Sequence, residues 1–365
     1  MLEARLAKPE QPLDDAWMRS VIQRRGPTLL GISYRPRQVE AFRLEGRETL
    51  AALLRYRYEL IRLAAYWDEI ESHGREYDTS ELDWQLAYAE RAGKQVIISV
   101  GAVKNFGYPE FFVPRSQIES PIDEGSLVGL KTRPALLEGA MRFISHVVKK
   151  YRDRSSVVGW QLEHEAVDPL GMEHSWRLGV DFVEKELEVL RDADASRPVL
   201  MTGFLPTSSV VRLLQWWRTR DQGDSLAVAA RCADIVGIDY YPRHALAGLG
   251  PRTLYLRGGN SRTERALLKQ LLRSARQKGT RVMVSEGQSE PWETETTPPS
   301  PKQRVLYSCQ PHHLIENFNN AMLWLKPPET PLYGYLFWGA EYWMLRHRFG
   351  DPSYLGAFAR IVDEA

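Results

Sequence analysis

Glutamates stand where two short apolar runs turn polar. The run VVGWQLEHEAVDP passes through Glu163, His164 and Glu165, and the run RVMVSEGQSEPW passes through Glu286. Two carboxyl groups held in different environments can divide one reaction, one giving a proton while the other stays ionised. Cleavage of a glycosidic bond needs that division: an acid on the leaving oxygen and a second carboxylate at the anomeric carbon. Carboxylates at the C-terminal ends of two strands of one barrel would open onto its mouth, where such barrels do their chemistry.

The chain carries the elements for that placement. Eight short apolar runs read as buried parallel strands: Thr28 to Ser33, Leu60 to Ala65, Gln95 to Val100, Val157 to Leu162, Pro198 to Gly203, Ile235 to Tyr240, Val282 to Ser285 and Tyr333 to Trp338. Each is rich in β-branched or aromatic residues, as strands covered on both faces should be. Helical patterns lie between them. Arg47 to Arg57, Ser80 to Ala92, Pro134 to Tyr151, His174 to Ala193 and Arg262 to Lys278 each place apolar residues along one face. Pro134 sits in a first turn, where a missing N–H costs little, and Gly93 and Gly279 follow helix ends. A repeated strand–helix order with eight strands predicts an α/β fold, a single-domain (β/α)8 TIM barrel over residues 1–365, with residues 1–26 as an N-terminal extension packed on it.

Glu165 then ends strand four and Glu286 ends strand seven. Three βα units of roughly 40 residues each fill the gap, somewhat above the ~30 of a compact barrel. Two stretches break the rhythm, Lys104 to Arg133 after strand three and Glu290 to Pro311 after strand seven. Both follow the C-terminal end of a strand, where insertions shape a pocket.

Composition excludes several partners. The 48 basic and 47 acidic residues leave a net charge of +1, so neither nucleic acid nor an anionic membrane is an expected partner. Hydrophobic residues at 43% and charged residues at 26% are ordinary for a globular protein. Cys232 and Cys309 are too few for a disulfide framework, and no Cys/His cluster has zinc spacing. No metal or other cofactor is expected. The first residues, MLEARLAKPEQPLDD, lack an apolar core of the signal-peptide kind, and no run reaches the length of a membrane span. The expected location is the cytoplasm, the expected partner a small carbohydrate, and a homo-oligomer stays open. The 11 tryptophans and 16 tyrosines could stack on sugar rings, but composition alone favours packing.

With these motifs in this order, the sequence resembles the retaining glycoside hydrolases of clan A. The segment WQLEHE is similar to the W-Q-(I/V/L)-(D/E)-N-E of the clan's β-galactosidases, and SEGQSEPW to the (T/S)-E-x-Q-x-E-P-W of its nucleophile strand. The segment from Tyr66 to Gly101 resembles the clan's stretch from strand two to strand three. The resemblance implies that Glu165 is the acid/base and Glu286 the nucleophile. It further implies double displacement with retained configuration and no metal or cofactor, on β-linked glycosides or their α-L counterparts. The clan's usual Asn before the acid/base is His164 here. Histidine can also donate to the sugar 2-hydroxyl, and some mannan-cleaving members carry His-Glu, which leans the expectation toward β-mannosides over β-glucosides or β-galactosides.

Other residues follow from the same resemblance. Arg62, inside an apolar strand, would lie beneath the nucleophile and keep it ionised, or serve a structural ion pair. One of Tyr240 and Tyr241 would donate to Glu286, with no basis for choosing between them. Trp338 would be a floor under the sugar ring or a core residue. Asn105, Tyr34, Trp67, Trp292 and Trp343 are candidates for lining the pocket, each more readily explained by packing. Glu163 reads as structural, and Glu290 as either a loop or a substrate contact. Three alternatives share this pattern: a transglycosidase with the same carboxylates, a non-catalytic sugar-binding barrel, and a metal-dependent barrel hydrolase. The last is disfavoured because only His164 is a well-placed strand-end histidine.

Overall fold

The computed structural model describes the chain except for residues 1–2, 73–76, 169–175, 207–208, 220, 258–261, 294–302 and 325–330. Eight parallel strands close a barrel: β1 (Leu29–Ser33), β2 (Leu60–Ala64), β3 (Gln95–Ser99), β4 (Val157–Gln161), β5 (Val199–Phe204), β6 (Ile235–Tyr240), β7 (Arg281–Gln288) and β8 (Gly334–Trp338). Their order around the barrel is their order in the chain. All eight expected strands are present, with ends moved by a residue or so, as strand ends commonly are. The exception is β7. It runs on past Ser285 to Gln288, because its pairing with β8 continues through Gly287↔Phe337 and Gln288↔Trp338 where the residue types have already turned polar.

Helix boundaries follow the caps. Pro134–Tyr151 and Arg262–Lys278 form as expected. The helix expected from Arg47 is Gly46–Leu53, with the Glu45 carboxylate accepting from the Glu48 N–H at its start. The helix expected from His174 starts at Val180 instead. His174 lies outside the described residues, and Arg177–Leu178 is extended, paired in parallel with Leu127–Val128.

The chain divides into two compact units. The first comprises Met1–Leu60, Leu205–Arg212 and Asp239–Ala365; the second comprises Ile61–Phe204 and Leu213–Ile238. β1, β7 and β8 belong to the first, β3, β4 and β5 to the second, with β2 and β6 contributing to both.

In the second unit the helix Pro134–Tyr151 turns a stripe of Leu136, Leu137, Ala140, Phe143, Ile144, Val147 and Val148 inward. Removing such a stripe from water is the main source of a helix's stability in a folded protein. In the first unit, the N-terminal residues Glu3–Ala7 pair antiparallel with Arg252–Arg257, which in turn pairs with Arg243–Leu249. This small sheet was not legible in the sequence, since a short antiparallel hairpin after strand six interrupts the strand–helix alternation. Glu10–Pro12 pairs with Arg304–Leu306, and the Trp17 ring lies so close to Gly356 that a Cβ there would stand 2.5 Å from it. Among the described residues no helix is long and apolar enough to cross a membrane.

Candidate functional site

In the second unit, β4 delivers its polar residues in a strained turn. Glu163 and Glu165 both have positive φ, 36° and 42°, a left-handed conformation that side chains other than glycine rarely adopt. Strain of this kind persists only where surrounding contacts impose it, and it gathers at functional sites. The imposing contacts are present. The Glu163 carboxylate accepts from the N–H groups of Val103 (2.9 Å) and Lys104 (2.5 Å), and the His164 N–H donates to the Lys104 carbonyl (2.9 Å). The buried Lys104 ammonium donates to the carbonyls of Glu165 (2.8 Å) and Asp168 (3.1 Å). The loop after β3 thus grips the loop after β4 on both sides of His164. Glu163 thus braces the two loops through backbone N–H groups.

Glu165 is buried, and its N–H donates to the Thr202 hydroxyl at 3.3 Å. The same hydroxyl lies 3.1 Å from His164 Nδ1, so Thr202, on β5, fixes the orientation of the imidazole. Burial, with the Arg62 and Lys104 charges behind it, holds the His164 pKa well below the ordinary histidine value. The imidazole is therefore neutral near neutral pH. Behind the turn, burial raises the pKa of Glu163 and pushes that of Glu186 well up, the Glu163 charge adding to the effect on Glu186.

Arg62 is fully buried on β2. Its Nη1 donates to Gln161 Oε1 at 2.9 Å, and its guanidinium lies 4.0 Å from the Phe106 ring centroid. Asn105 does not fit its expected role. Its amide nitrogen points at the carbonyls of Ala65 (3.1 Å), Gly101 (3.2 Å) and Ser99 (3.4 Å), and its oxygen accepts from Phe106 N–H (2.9 Å). Those bonds to the main chain occupy the side chain as a brace for the loop after β3. Trp67 is buried and donates to Glu71, a packing role.

In the first unit, Glu286 sits where β7 gains a residue against β8, between Val284↔Tyr335 and Gly287↔Phe337. A bulge of this kind re-aims a side chain without ending the strand. Gly287 is required there: a Cβ would stand 2.2 Å from the Tyr335 hydroxyl oxygen. Glu286 is 2% exposed, and its Oε2 accepts a 2.6 Å hydrogen bond from the Tyr241 hydroxyl. Tyr240 points elsewhere: it is fully buried, edge-on to Trp324 at 4.7 Å, and its hydroxyl has no hydrogen-bond partner among the described residues. The choice left open by the sequence falls on Tyr241. Beside Tyr241 lies Trp292, ring to ring at 5.1 Å and 36% exposed. Asp239, at the end of β6, accepts from Ser285 Oγ at 2.7 Å.

Trp338 ends β8, with the Arg35 guanidinium 4.2 Å from its ring centroid. Arg35 is buried between two carboxylates. It reaches both oxygens of Glu290 (2.6 and 2.8 Å) and bonds Glu341 through its Nε (2.9 Å), Nη2 (2.7 Å) and backbone N–H (2.7 Å). Glu290 is thus committed to Arg35, and burial raises the Glu341 pKa. Tyr34 donates to the Gly46 carbonyl and Trp343 to the Ser289 carbonyl; both rings are buried packing residues.

Lys104, Thr202, Asp239, Arg35 and Glu341 were missed by sequence reasoning. Thr202 and Asp239 stand at strand ends and could have been flagged on that ground; Arg35 and Glu341 meet only in the fold. His312, His313 and Glu316 bring one ligand atom each within 4.8 Å of one another. Two of these groups have other partners: His313 Nδ1 accepts from Gln310 N–H as part of a helix cap, and Glu316 pairs with Arg243. His312 Nδ1 stands 3.7 Å from Asp14 Oδ1.

No protein-family model matches the chain, and neither does any curated protein sequence. Solved structures do. GH5_18 from Streptomyces cattleya, in complex with GlcNAc, superposes with a TM-score of 0.57 at 14% identity over 93% of this chain and 81% of its own. Native xylanase 10B from Thermotoga maritima gives 0.53 at 13% identity over 93% and 95%. An exo-β-1,4-mannosidase from Opitutaceae bacterium strain TAV5 gives 0.51 at 16% identity over 90% and 55%. At these identities the likeness shows the barrel fold.

Proposed function

We propose that this chain is a retaining glycoside hydrolase that cleaves β-linked glycosides or oligosaccharides by double displacement, with Glu286 as nucleophile and Glu165 as acid/base. The observation that carries the reading is the buried Glu286 carboxylate, set in a bulge at the C-terminal end of β7 and hydrogen-bonded by Tyr241. A hydrogen bond to the charged form favours ionisation, which an attacking carboxylate needs. Glu165 supports it from the end of β4, buried in a turn of positive φ.

In the proposed first step a Glu286 oxygen forms a bond to the anomeric carbon. The bond to the leaving oxygen breaks, and Glu165 gives that oxygen its proton. In the second step Glu165 takes a proton from water, the water oxygen bonds to the anomeric carbon, and Glu286 leaves. The mechanism requires the two carboxyl groups about 5–5.5 Å apart. His164, neutral and oriented by Thr202, would donate to the 2-hydroxyl, with Trp338 and Trp292 as stacking surfaces and Arg62 as a buried charge favouring ionised carboxylates.

The substrate lean is to β-mannosides, on the strength of His164 where the resembling enzymes carry Asn. Among proteins of similar fold, one is an exo-β-1,4-mannosidase. A cytoplasmic location fits the two unpaired cysteines, Cys232 and Cys309. The test is a panel of nitrophenyl β-mannosides, β-glucosides, β-galactosides and β-xylosides, with product configuration read by proton NMR. Release of the β-anomer first, and its loss in Glu286→Ala, support the reading. Activity unchanged in that variant, or release of the α-anomer, overturns it.

A further inference from the structure

The helix Ser209–Thr219, SVVRLLQWWRT, follows β5 and is amphipathic the wrong way round for a soluble protein. Its inward side carries Thr219, Gln215 and the half-buried Val211. Thr219 is buried, and Gln215 donates through Nε2 to Asp168 Oδ2 at 3.2 Å. Its outward side is apolar: Leu213 is 62% exposed, Leu214 56%, Trp216 56% and Trp217 62%. At 3.6 residues per turn these four succeed one another around the helix as Trp216, Leu213, Trp217 and Leu214, over an arc of roughly 160°. Arg212 borders the arc on the Trp216 edge and Arg218 on the Leu214 edge, both exposed. From Phe204 to Arg220 the sequence has three arginines and no acidic residue.

We infer that this helix is a docking face for an anionic lipid surface, lying in the plane of the interface. An apolar arc with tryptophans, rimmed by cations on both sides, is the pattern that inserts shallowly among headgroups and acyl chains. Tryptophan suits that depth because its ring is apolar and its N–H polar. The charge pattern decides between occupants. A second copy packing helix to helix would bring arginine rims together with no helix carboxylate to meet them, whereas anionic headgroups complement both rims. A soluble carbohydrate would stack on flat aromatic faces and leave Leu213 and Leu214 unexplained. The near-zero net charge of the chain made a membrane an unexpected partner, but the charge that matters to a docking helix is local. This face is independent of the roles given to Glu165 and Glu286, and its test does not use activity.

The experiment is flotation of the whole chain with vesicles of phosphatidylcholine, with and without phosphatidylglycerol. Wild-type protein is expected to float with the anionic vesicles and to be released by salt. Trp216→Gln/Trp217→Gln should lose flotation ~10-fold or more through the removed apolar area. Arg212→Gln/Arg218→Gln should cut binding to anionic vesicles ~25-fold, at ~5-fold per arginine. Circular dichroism checks that both variants are folded, and the wild-type comparison between lipids stands even if one is not. Wild-type protein that stays at the bottom with both vesicle types overturns the inference. So does concentration-dependent dimerisation, abolished by the tryptophan substitutions, without flotation; that result assigns the face to a second copy.

Discussion

The Tyr241 hydroxyl donates a 2.6 Å hydrogen bond to Glu286 Oε2, while the adjacent Tyr240 is buried on the other side of the chain against Trp324. Alternation along an extended segment sends neighbours to opposite sides, so two adjacent tyrosines cannot share one role. Tyr241→Phe is expected to keep the fold and to lower kcat/KM by ~10–100-fold, the range for one hydrogen bond to a charged group. Tyr240→Phe should leave kcat/KM unchanged. Steady-state kinetics on both variants checks this; equal effects from the two would remove the assignment.

Glu165→Ala should affect substrates according to how much help their leaving group needs. A dinitrophenolate leaves without a proton, whereas an alkoxide does not. The variant is expected to lose ~10³-fold or more on alkyl or oligosaccharide substrates and much less on dinitrophenyl glycosides in the step that forms the glycosyl-enzyme. Comparing kcat/KM for the two classes gives the answer. A uniform loss across leaving groups would mean that Glu165 is not the acid.

Much of the barrel was legible because a strand buried on both faces leaves an unambiguous apolar run, and eight such runs are present with all eight strands in place. Glu165 and Glu286 stood out as candidates because strand ends are where polarity returns. What stayed hidden has two causes. Asn105 carries a residue type common to binding sites, yet its amide is taken up by three carbonyls that are remote or irregular in sequence. Arg35 and Glu341 are 306 residues apart, and no local pattern announces a pair that only the fold assembles. The helix beginning at Val180 rather than His174 reflects the pairing of Arg177–Leu178 with Leu127–Val128, a long-range contact that overrides local helix propensity.

His164→Asn should remain folded, since Thr202 can bond an amide as it bonds an imidazole. Because the histidine is already neutral, the substitution adds no charge change near neutral pH, and its effect should fall on the sugar. The ratio of kcat/KM between β-mannoside and β-glucoside is expected to shift by ~10-fold, in favour of the glucoside, the scale of one altered polar contact. Loss of soluble protein would instead make His164 a structural residue.

Arg35→Met should destabilise the chain strongly. It leaves Glu341, fully buried, with no partner cation, and breaking one side of a buried ion pair typically costs ~3–5 kcal/mol. Adding Glu341→Gln should recover part of the loss, since a neutral amide is cheaper to bury than a carboxylate. Urea unfolding of wild type, single and double variants tests both statements. A single variant as stable as wild type would show that Glu341 is protonated and indifferent to Arg35.

The surroundings of Asp168 fix the sign of its pH dependence. Burial raises its carboxyl pKa from 3.8 to about 6 against the opposing charge of Lys104, while Gln215 and the Ser225 N–H hold its oxygens. A raised carboxyl pKa means that the folded chain binds the proton more tightly than the unfolded one. Above about 6 the group is ionised in both states and the full cost of burying its charge is present. As pH falls from about 6 toward 3.8 the folded state takes up the proton first, and that cost is relieved by ~1.4 kcal/mol for each pH unit crossed. Asp168→Asn has no such titration. The difference in unfolding free energy, wild type minus variant, should therefore grow as pH is lowered through this window and level off on either side. Denaturant titrations across the window measure it. A difference that shrinks as pH falls would mean that the fold holds Asp168 ionised and that Lys104, not burial, sets its state.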